Sequence, residues 1–350
     1  MMLIPFEPHY RRQYYQLLEE VFDSNFWSDG RMLRRFEQEF GDYVGVPARA
    51  VANGGAALLA ILDYLNVRHQ EVVVPANTFW ATAQAAHKAG ARVVYADCNR
   101  EDLCLSLEDL RRKVTPHTRA VIVVHIGGHL AFQIEEIAAF CRERQIALVE
   151  DCAHVHGGWW NGKTGGHYGF AGAYSFYATK TMPLGEGGMV VSRDEGFLTW
   201  VERYRNYGKE IVGGRVTYPL KTGFNYRMNE CTAALGLVQL QRLPEILAAK
   251  RALAVKYDQI FENRLKLPPG MISGYYKYII FGYPLLREQT GQVFGPGDLG
   301  PVIDGVAAAV PNSYWVAENH QCPPIYYGWE HAHKEVAEIA RILLEDGNPL

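Results

Sequence analysis

Six cysteines in 350 residues, none in a C-x-x-C pair, supply neither a disulfide scaffold nor a cysteine-built zinc module. Long apolar runs are also missing. No uninterrupted stretch approaches the ~20 residues needed to cross a bilayer, and the opening MMLIPFEPHYRRQYYQ holds no apolar run of signal-peptide length. Neither sign of charge is in excess: 35 Lys and Arg against 38 Asp and Glu leave a formal net charge of −3, which argues against a protein that coats nucleic acid. No H-E-x-x-H or comparable ligand spacing occurs, and His125, His129, His156 and His167 stand singly, so no metal is assigned. These absences leave a reduced, cytoplasmic protein that binds neither membrane nor nucleic acid. What remains is globular material, 48% hydrophobic and 21% charged, long enough to bury a sizeable core.

The first two-thirds of the chain alternates short β-branched runs with helical segments. Strands are expected at Val72–Val74, Arg92–Ala96, Ala120–Val124, Ile146–Glu150, Ala173–Phe176 and Met189–Ser192. Helices are expected at Ala57–Leu65 and Gln133–Arg144, the latter with Ile134, Ile137 and Cys141 at helical spacing. Strands separated by helices read as βαβ units, hence an α/β fold with a mostly parallel sheet whose ligands collect at the carboxyl ends of the strands. Cys231–Leu243 reads as a buried helix, and Pro244 as the start of a second one running to about Asn263, because proline is tolerated in a first turn. From there the texture turns glycine- and proline-rich until a helix at His331–Glu345. The chain thus divides into a large domain, 1–243, whose first segment packs on the second part, and a smaller C-terminal domain, 244–350. There are no internal repeats.

GGWWNGKT, residues Gly157–Thr164, fits the pattern of a nucleotide phosphate loop, but TGGHYG follows where that loop needs a helix, so a glycine-rich connection is the simpler reading. No G-x-G-x-x-G follows a strand. Asp151 closes the strand IALVED, and Lys180 lies just beyond AYSFY, ahead of a glycine-rich turn. Both reach one crevice at the carboxyl edge. A partly desolvated lysine there suits Schiff-base chemistry and an aspartate suits a pyridinium partner; the alternative is a surface lysine and a capping carboxylate. Asn53-Gly54-Gly55-Ala56 opens a small-residue helix whose free amides suit a phosphate. Phe79 and Trp80 follow a strand end, as a ring-stacking lid or as core.

NGGAAL, VVVPANTFWAT, VEDCAHVHG, SFYATKTMPLGEGG and GFNYRMNECTAALGLVQLQRL, spread over roughly residues 25–265, together resemble the DegT/DnrJ/StrS-type sugar aminotransferases. The resemblance implies fold type I of the pyridoxal 5'-phosphate enzymes, with a mostly parallel seven-stranded sheet flanked by helices and a smaller α+β C-terminal domain. It implies that Lys180 bonds to the cofactor and shuttles the proton, that Asp151 pairs with the pyridine nitrogen and that Phe79 stacks on the ring. By the same token Gly54, Gly55, Ala56 and Ser175 hold the phosphate, His154 reaches the 3'-oxygen, and Asn225 comes from the neighbouring subunit of a homodimer. The family usually has Gly-Thr where this chain has Gly54-Gly55, and glutamine where it has His154. Its dehydratases carry histidine at the position of Lys180, so transamination is the expected reaction, from glutamate or glutamine to a ketone on a nucleotide-linked deoxysugar. VEDCAHVHGGWW is similar also to members acting on cyclitols or making an aminobenzoate unit, and a non-catalytic, cofactor- or sugar-nucleotide-binding relative is a further alternative. His320, Tyr326 and Tyr327 form a polar-aromatic cluster suited either to substrate contact or to packing between domains.

Overall fold

The computed structural model describes residues 6–283 and 290–327; the helix expected at His331–Glu345 lies outside the described residues. A seven-stranded sheet is built from β1 (Ala48–Val51), β2 (Glu71–Pro75), β3 (Arg92–Ala96), β4 (Thr118–Val124), β5 (Ala147–Asp151), β6 (Ala171–Ser175) and β7 (Gly188–Val191). Its order is β1-β7-β6-β5-β4-β2-β3, and β7 alone runs against the rest. Six of these strands sit where the β-branched runs placed them; β1, short and alanine-rich, carries no such signal.

Strand alternation decides which helices cover which face. Val72, Val74, Ile122 and Val149 pack with α3 (Gly54–Tyr64), α4 (Trp80–Lys88) and α7 (Glu195–Tyr204). Val73, Val121, Val123 and Leu148 face α5 (Leu107–Lys113) and α6 (Ile134–Glu143). Tyr174, Met189 and Val191 meet α2 (Arg31–Val44) and α8 (Glu230–Asp258), on which α1 (Pro8–Ser24) also packs. Because the sheet is buried on both sides, its strands read as near-continuous apolar runs rather than alternating ones.

Two expectations are corrected. Pro244 does not begin a helix: α8 is one helix of 29 residues that runs through it. An internal proline removes one ladder bond and crowds the preceding turn, at a cost of ~3 kcal/mol. Arg242, Leu243, Ile246 and Leu247 are all buried around it, and that burial holds the helix continuous. The glycine- and proline-rich region is also more ordered than its texture suggests, with α9 (Gly300–Asp304), α10 (Pro311–Asn319) and a small antiparallel pair Ile280–Phe281/His320–Gln321. Between α7 and α8 an exposed hairpin, β8 (Glu210–Val212) and β9 (Arg215–Thr217), turns through Gly213 and Gly214, both at positive φ as a two-residue hairpin turn requires.

The N-terminus of α2 is capped from another element. Its N-cap, Gly30, has no side chain, and Glu230, buried at the head of α8, accepts from the amides of Gly30 (3.0 Å), Met32 (2.8 Å) and Leu33 (3.0 Å). A Cβ on Gly30 would stand 2.6 Å from that carboxylate. Glu230→Ala strands three amides at a buried site and is expected to cost ~2–4 kcal/mol, measured as a fall in the denaturant unfolding midpoint.

Candidate active site

β2 lies between β3 and β4, so the direction in which the chain fills the sheet reverses there, and the strand ends at Pro75, Val124, Asp151 and Ser175 border one crevice. Asp151 is buried. Its Oδ2 accepts from Thr82 Oγ1 at 2.9 Å and its Oδ1 from Ala153 N at 3.1 Å. Thr82 spends its one O–H on Asp151, so Thr78, 2.9 Å away, must be the donor in the Thr78–Thr82 pair. Burial pushes the Asp151 carboxyl up; the two hydrogen bonds and the charge of Lys180 only partly counter this.

Lys180 is half-buried in the turn after β6, its amide donating to Tyr177 O at 2.8 Å. Its Nζ stands 4.8 Å from the centroid of the Tyr276 ring. That ring stacks in turn on His154, centroids 4.1 Å apart and planes 22° from parallel. His154 is driven well below the usual histidine range by burial first and then by the charges of Lys180 and Lys277, so it is neutral, and its Nδ1 is buried with no partner.

On the other side, Asn53 caps α3 by accepting from Ala56 N at 2.9 Å. That leaves the amides of Gly54 and Gly55, which open the helix and have no intrahelical acceptor. Gly54 is pressed against the end of β6: a Cβ there would lie 2.8 Å from Ser175 Cβ. Phe79 is 76% exposed at the head of α4, whereas Trp80 turns into the core. Asn225 is exposed; the carbonyl of its neighbour Tyr226 accepts from Ala52 N at 2.7 Å, tying this segment to the turn before α3.

The C-terminal cluster does not join this group. His320 is fully buried, taking a bond from Val293 N on Nε2 (2.9 Å) and giving one from Nδ1 to Val316 O, so no ring nitrogen is left for a ligand. Tyr327 is buried against α8, its hydroxyl on Glu245 and its ring beside the Arg242 guanidinium. Tyr326 is partly exposed beside it. His320 and Tyr327 are thus engaged within the chain. Likewise, GGWWNGKT is a connection: Thr164 donates to Gly158 O at 2.7 Å, and no helix follows. His125, Glu150 and Cys152 do converge within 4.8 Å. However, His125 gives Nε2–H to Glu150 (3.0 Å) and takes Ala131 N on Nδ1 (3.1 Å), leaving no nitrogen open to an ion. Thr82 and Tyr276 were missed. Thr82 ended a quoted block without a role, and GYYKYIIF offered only its aromatic density.

An unpartnered buried imidazole nitrogen, an uncovered aromatic face, a helix N-terminus pressed against Ser175 and a buried acid beside a lysine fit a phosphorylated pyridine. A buried aspartate followed by a lysine at the carboxyl edge of a mostly parallel sheet is the arrangement of a fold type I enzyme, and the chain's likeness to known proteins makes it an aminotransferase. The chain belongs to the DegT/DnrJ/EryC1/StrS aminotransferase family, whose profile matches residues 8–288. It is 36% identical to the GDP-perosamine synthase of Vibrio cholerae over 73% of this chain and 70% of that one. It is 33% identical to the dTDP-4-dehydro-2,3,6-trideoxy-D-glucose 4-aminotransferase of Saccharopolyspora spinosa, over 79% and 76%. Among solved structures, the aminotransferase TlmJ from Streptoalloteichus hindustanus superposes with a TM-score of 0.89 at 26% identity, covering 99% of each chain. Among the described residues, no helix is long and apolar enough to cross a membrane.

Burial is the first cause pushing His129 and His320 down to about 4 and His156 to about 3. An unfolded histidine protonates near pH ~6.5, so between these values the unfolded chain binds more protons. Stability is therefore full above that pH and falls as the pH drops, by up to ~1.4 kcal/mol per unit for each ring. Asp102, which burial pushes up to about 6, acts oppositely and offsets one ring. These four groups together are expected to cost up to ~3 kcal/mol between about pH 6 and about pH 5, with His154 adding to the loss and Asp151 opposing it, measured by denaturant unfolding; a flat profile contradicts it.

Proposed function

We propose that this protein is a pyridoxal 5'-phosphate-dependent aminotransferase that moves an amino group from glutamate or glutamine to a ketone on a nucleotide-linked deoxysugar. The observation that carries this reading is the convergence of half-buried Lys180 and buried Asp151 at the carboxyl edge of the sheet, beside neutral His154. The acceptor class rests on the two curated relatives, whose names place them on GDP- and dTDP-linked sugars.

Bound pyridoxal phosphate supplies an electron sink that makes the Cα–H bond of an amino acid acidic. Lys180 Nζ removes that proton and returns it at the other end of the transfer. Asp151, fixed by Thr82 and Ala153, would pair with the pyridine nitrogen and hold its proton. The amides of Gly54 and Gly55, with Ser175, hold the phosphate at the positive end of α3. His154 would meet the 3'-oxygen and Phe79 would cover the ring.

The β8–β9 hairpin and the segment after it expose Ile211, Val212, Val216, Tyr218 and Phe224, apolar surface that supports a homodimer, with Asn225 delivered to the partner's site. The deciding experiment is the visible spectrum of the cofactor-loaded protein before and after excess glutamate, then glutamine. The band of bound pyridoxal phosphate is expected to disappear with donor. Lys180→Ala is expected to lower turnover at least about 1,000-fold, the scale of a lost general acid–base group. Turnover at the native rate by that variant would sink the mechanism.

A further inference from the structure

Tyr276 reaches Lys180 from a segment far along the chain, and the segment is fastened on every side. The amide of Gly274 donates to Gly128 O at 2.8 Å and that of Lys277 to Gly127 O at 2.9 Å. From α8, Lys250 Nζ donates to Tyr275 O at 3.0 Å, while Arg251 donates to Ser273 O at 3.1 Å and to Gly157 O at 2.8 Å. Ser273 Oγ accepts from Tyr275 N at 2.9 Å. A Cβ on Gly128, which holds φ +108, would stand 2.5 Å from Tyr276 N. The backbone on both sides of Tyr276 is thus bound, partly by the buried Lys250 through its hydrogen bond to Tyr275 O, an arrangement that costs stability.

The side chain so held is central to the site. One face of the ring lies against His154, Lys180 Nζ is 4.8 Å from the ring centre, and the hydroxyl lies 3.4 Å from Thr179 Oγ1, the neighbour of Lys180. We propose that Tyr276 is a positioning residue for Lys180: the ring lies under Nζ and the hydroxyl holds that nitrogen in both its protonated and its neutral form. A hydroxyl has one donor and two acceptor lone pairs. It accepts from the lysine ammonium and, after turning, donates to the lysine amine, so the nitrogen stays aimed while its proton comes and goes. Tyr276 keeps its own proton throughout, and no bond to it is made or broken. Burial pushes the Tyr276 phenol up, but the charge of Lys180, hydrogen bonding with Thr179 and the charge of Lys277 outweigh this and hold it below its ordinary value. The other titratable groups facing this nitrogen are Asp151, His154 and His156, the histidines both held neutral by burial.

The inference rests on the reading of Lys180 as the proton-carrying amine, and it is tested with Tyr276→Phe, which keeps the ring and its stack on His154. In cofactor-free protein, the rate at which acetic anhydride labels Lys180, followed by mass spectrometry across pH, gives the midpoint of its deprotonation. Loss of the hydroxyl removes a charge-assisted bond to the ammonium and a weaker neutral one to the amine, so the midpoint is expected to fall by about half a pH unit or more. In loaded enzyme, kcat is expected to fall about tenfold or more with both KM values within about threefold. An unchanged midpoint together with an unchanged kcat overturns the proposal. A wild-type protein whose cofactor band ignores every donor overturns the proposed function instead, while the labelling midpoint still tests the Tyr276–Lys180 contact.

Discussion

The buried carboxylate of Glu150 is the contact on which the site's geometry depends. It sits one residue before Asp151 on β5, and strand alternation sends the two side chains to opposite faces. Glu150 accepts from His125 Nε2 and from the amides of Gly166 (2.9 Å), Tyr168 (2.8 Å) and Gly169 (2.7 Å). Burial alone would push it up, yet those donors, His125 foremost, hold it below the usual carboxylate range. The three amides belong to the connection that returns the chain to β6. That connection has no helix and little core of its own, so the carboxylate fixes where β6 begins, and therefore where Ser175 and Lys180 come to lie.

The second constraint is the closeness of the backbones around the crevice. Gly188 on β7 would place a Cβ 2.3 Å from the carbonyl carbon of Asn53, and Gly54 would place one against Ser175. Any side chain at either position moves the N-terminus of α3 away from the end of β6. The same holds across the crevice, where Gly128 lets the segment bearing Tyr276 approach. The glycines of NGGAAL and LGEGGM are therefore part of the site's geometry, although none carries a reactive group.

The sequence made the sheet legible because its strands are buried on both faces, so Val72–Val74 and Ala120–Val124 announce themselves without context. Asp151 and Lys180 could be singled out for a related reason: Asp151 ends such a strand and Lys180 lies in the turn after another, and a strand's end is a defined place. Tyr276 was not, because its segment is brought to Lys180 by bonds to Gly127 and Gly128, roughly 150 residues upstream, and to Lys250 and Arg251 of α8, and no local pattern encodes those pairings. His320 stayed open between two readings for the converse reason. A histidine among aromatics reads alike whether its nitrogens meet substrate or backbone, and here they meet Val293 and Val316. Pro244 misled because a helix boundary was inferred from the local cost of proline, while the burial that overcomes that cost is tertiary.

The electrostatics around Lys180 bear on what the crevice accepts. His154 and His156 are held neutral, so neither adds charge. Glu150 points away and is saturated. What faces the crevice is one carboxylate, Asp151, the lysines Lys180 and Lys277, and the positive end of α3 with the amides of Gly54 and Gly55. Among the described residues neither lysine is engaged in an ion pair. A crevice with that balance attracts anions from a chain whose overall charge is slightly negative. Every ligand of the proposed reaction is anionic: the phosphate of the cofactor, the carboxylate of the donor and the diphosphate of a nucleotide-linked sugar. The neutral histidines are part of that arrangement, since a charged imidazole beside Lys180 would oppose the protonated state the lysine must reach.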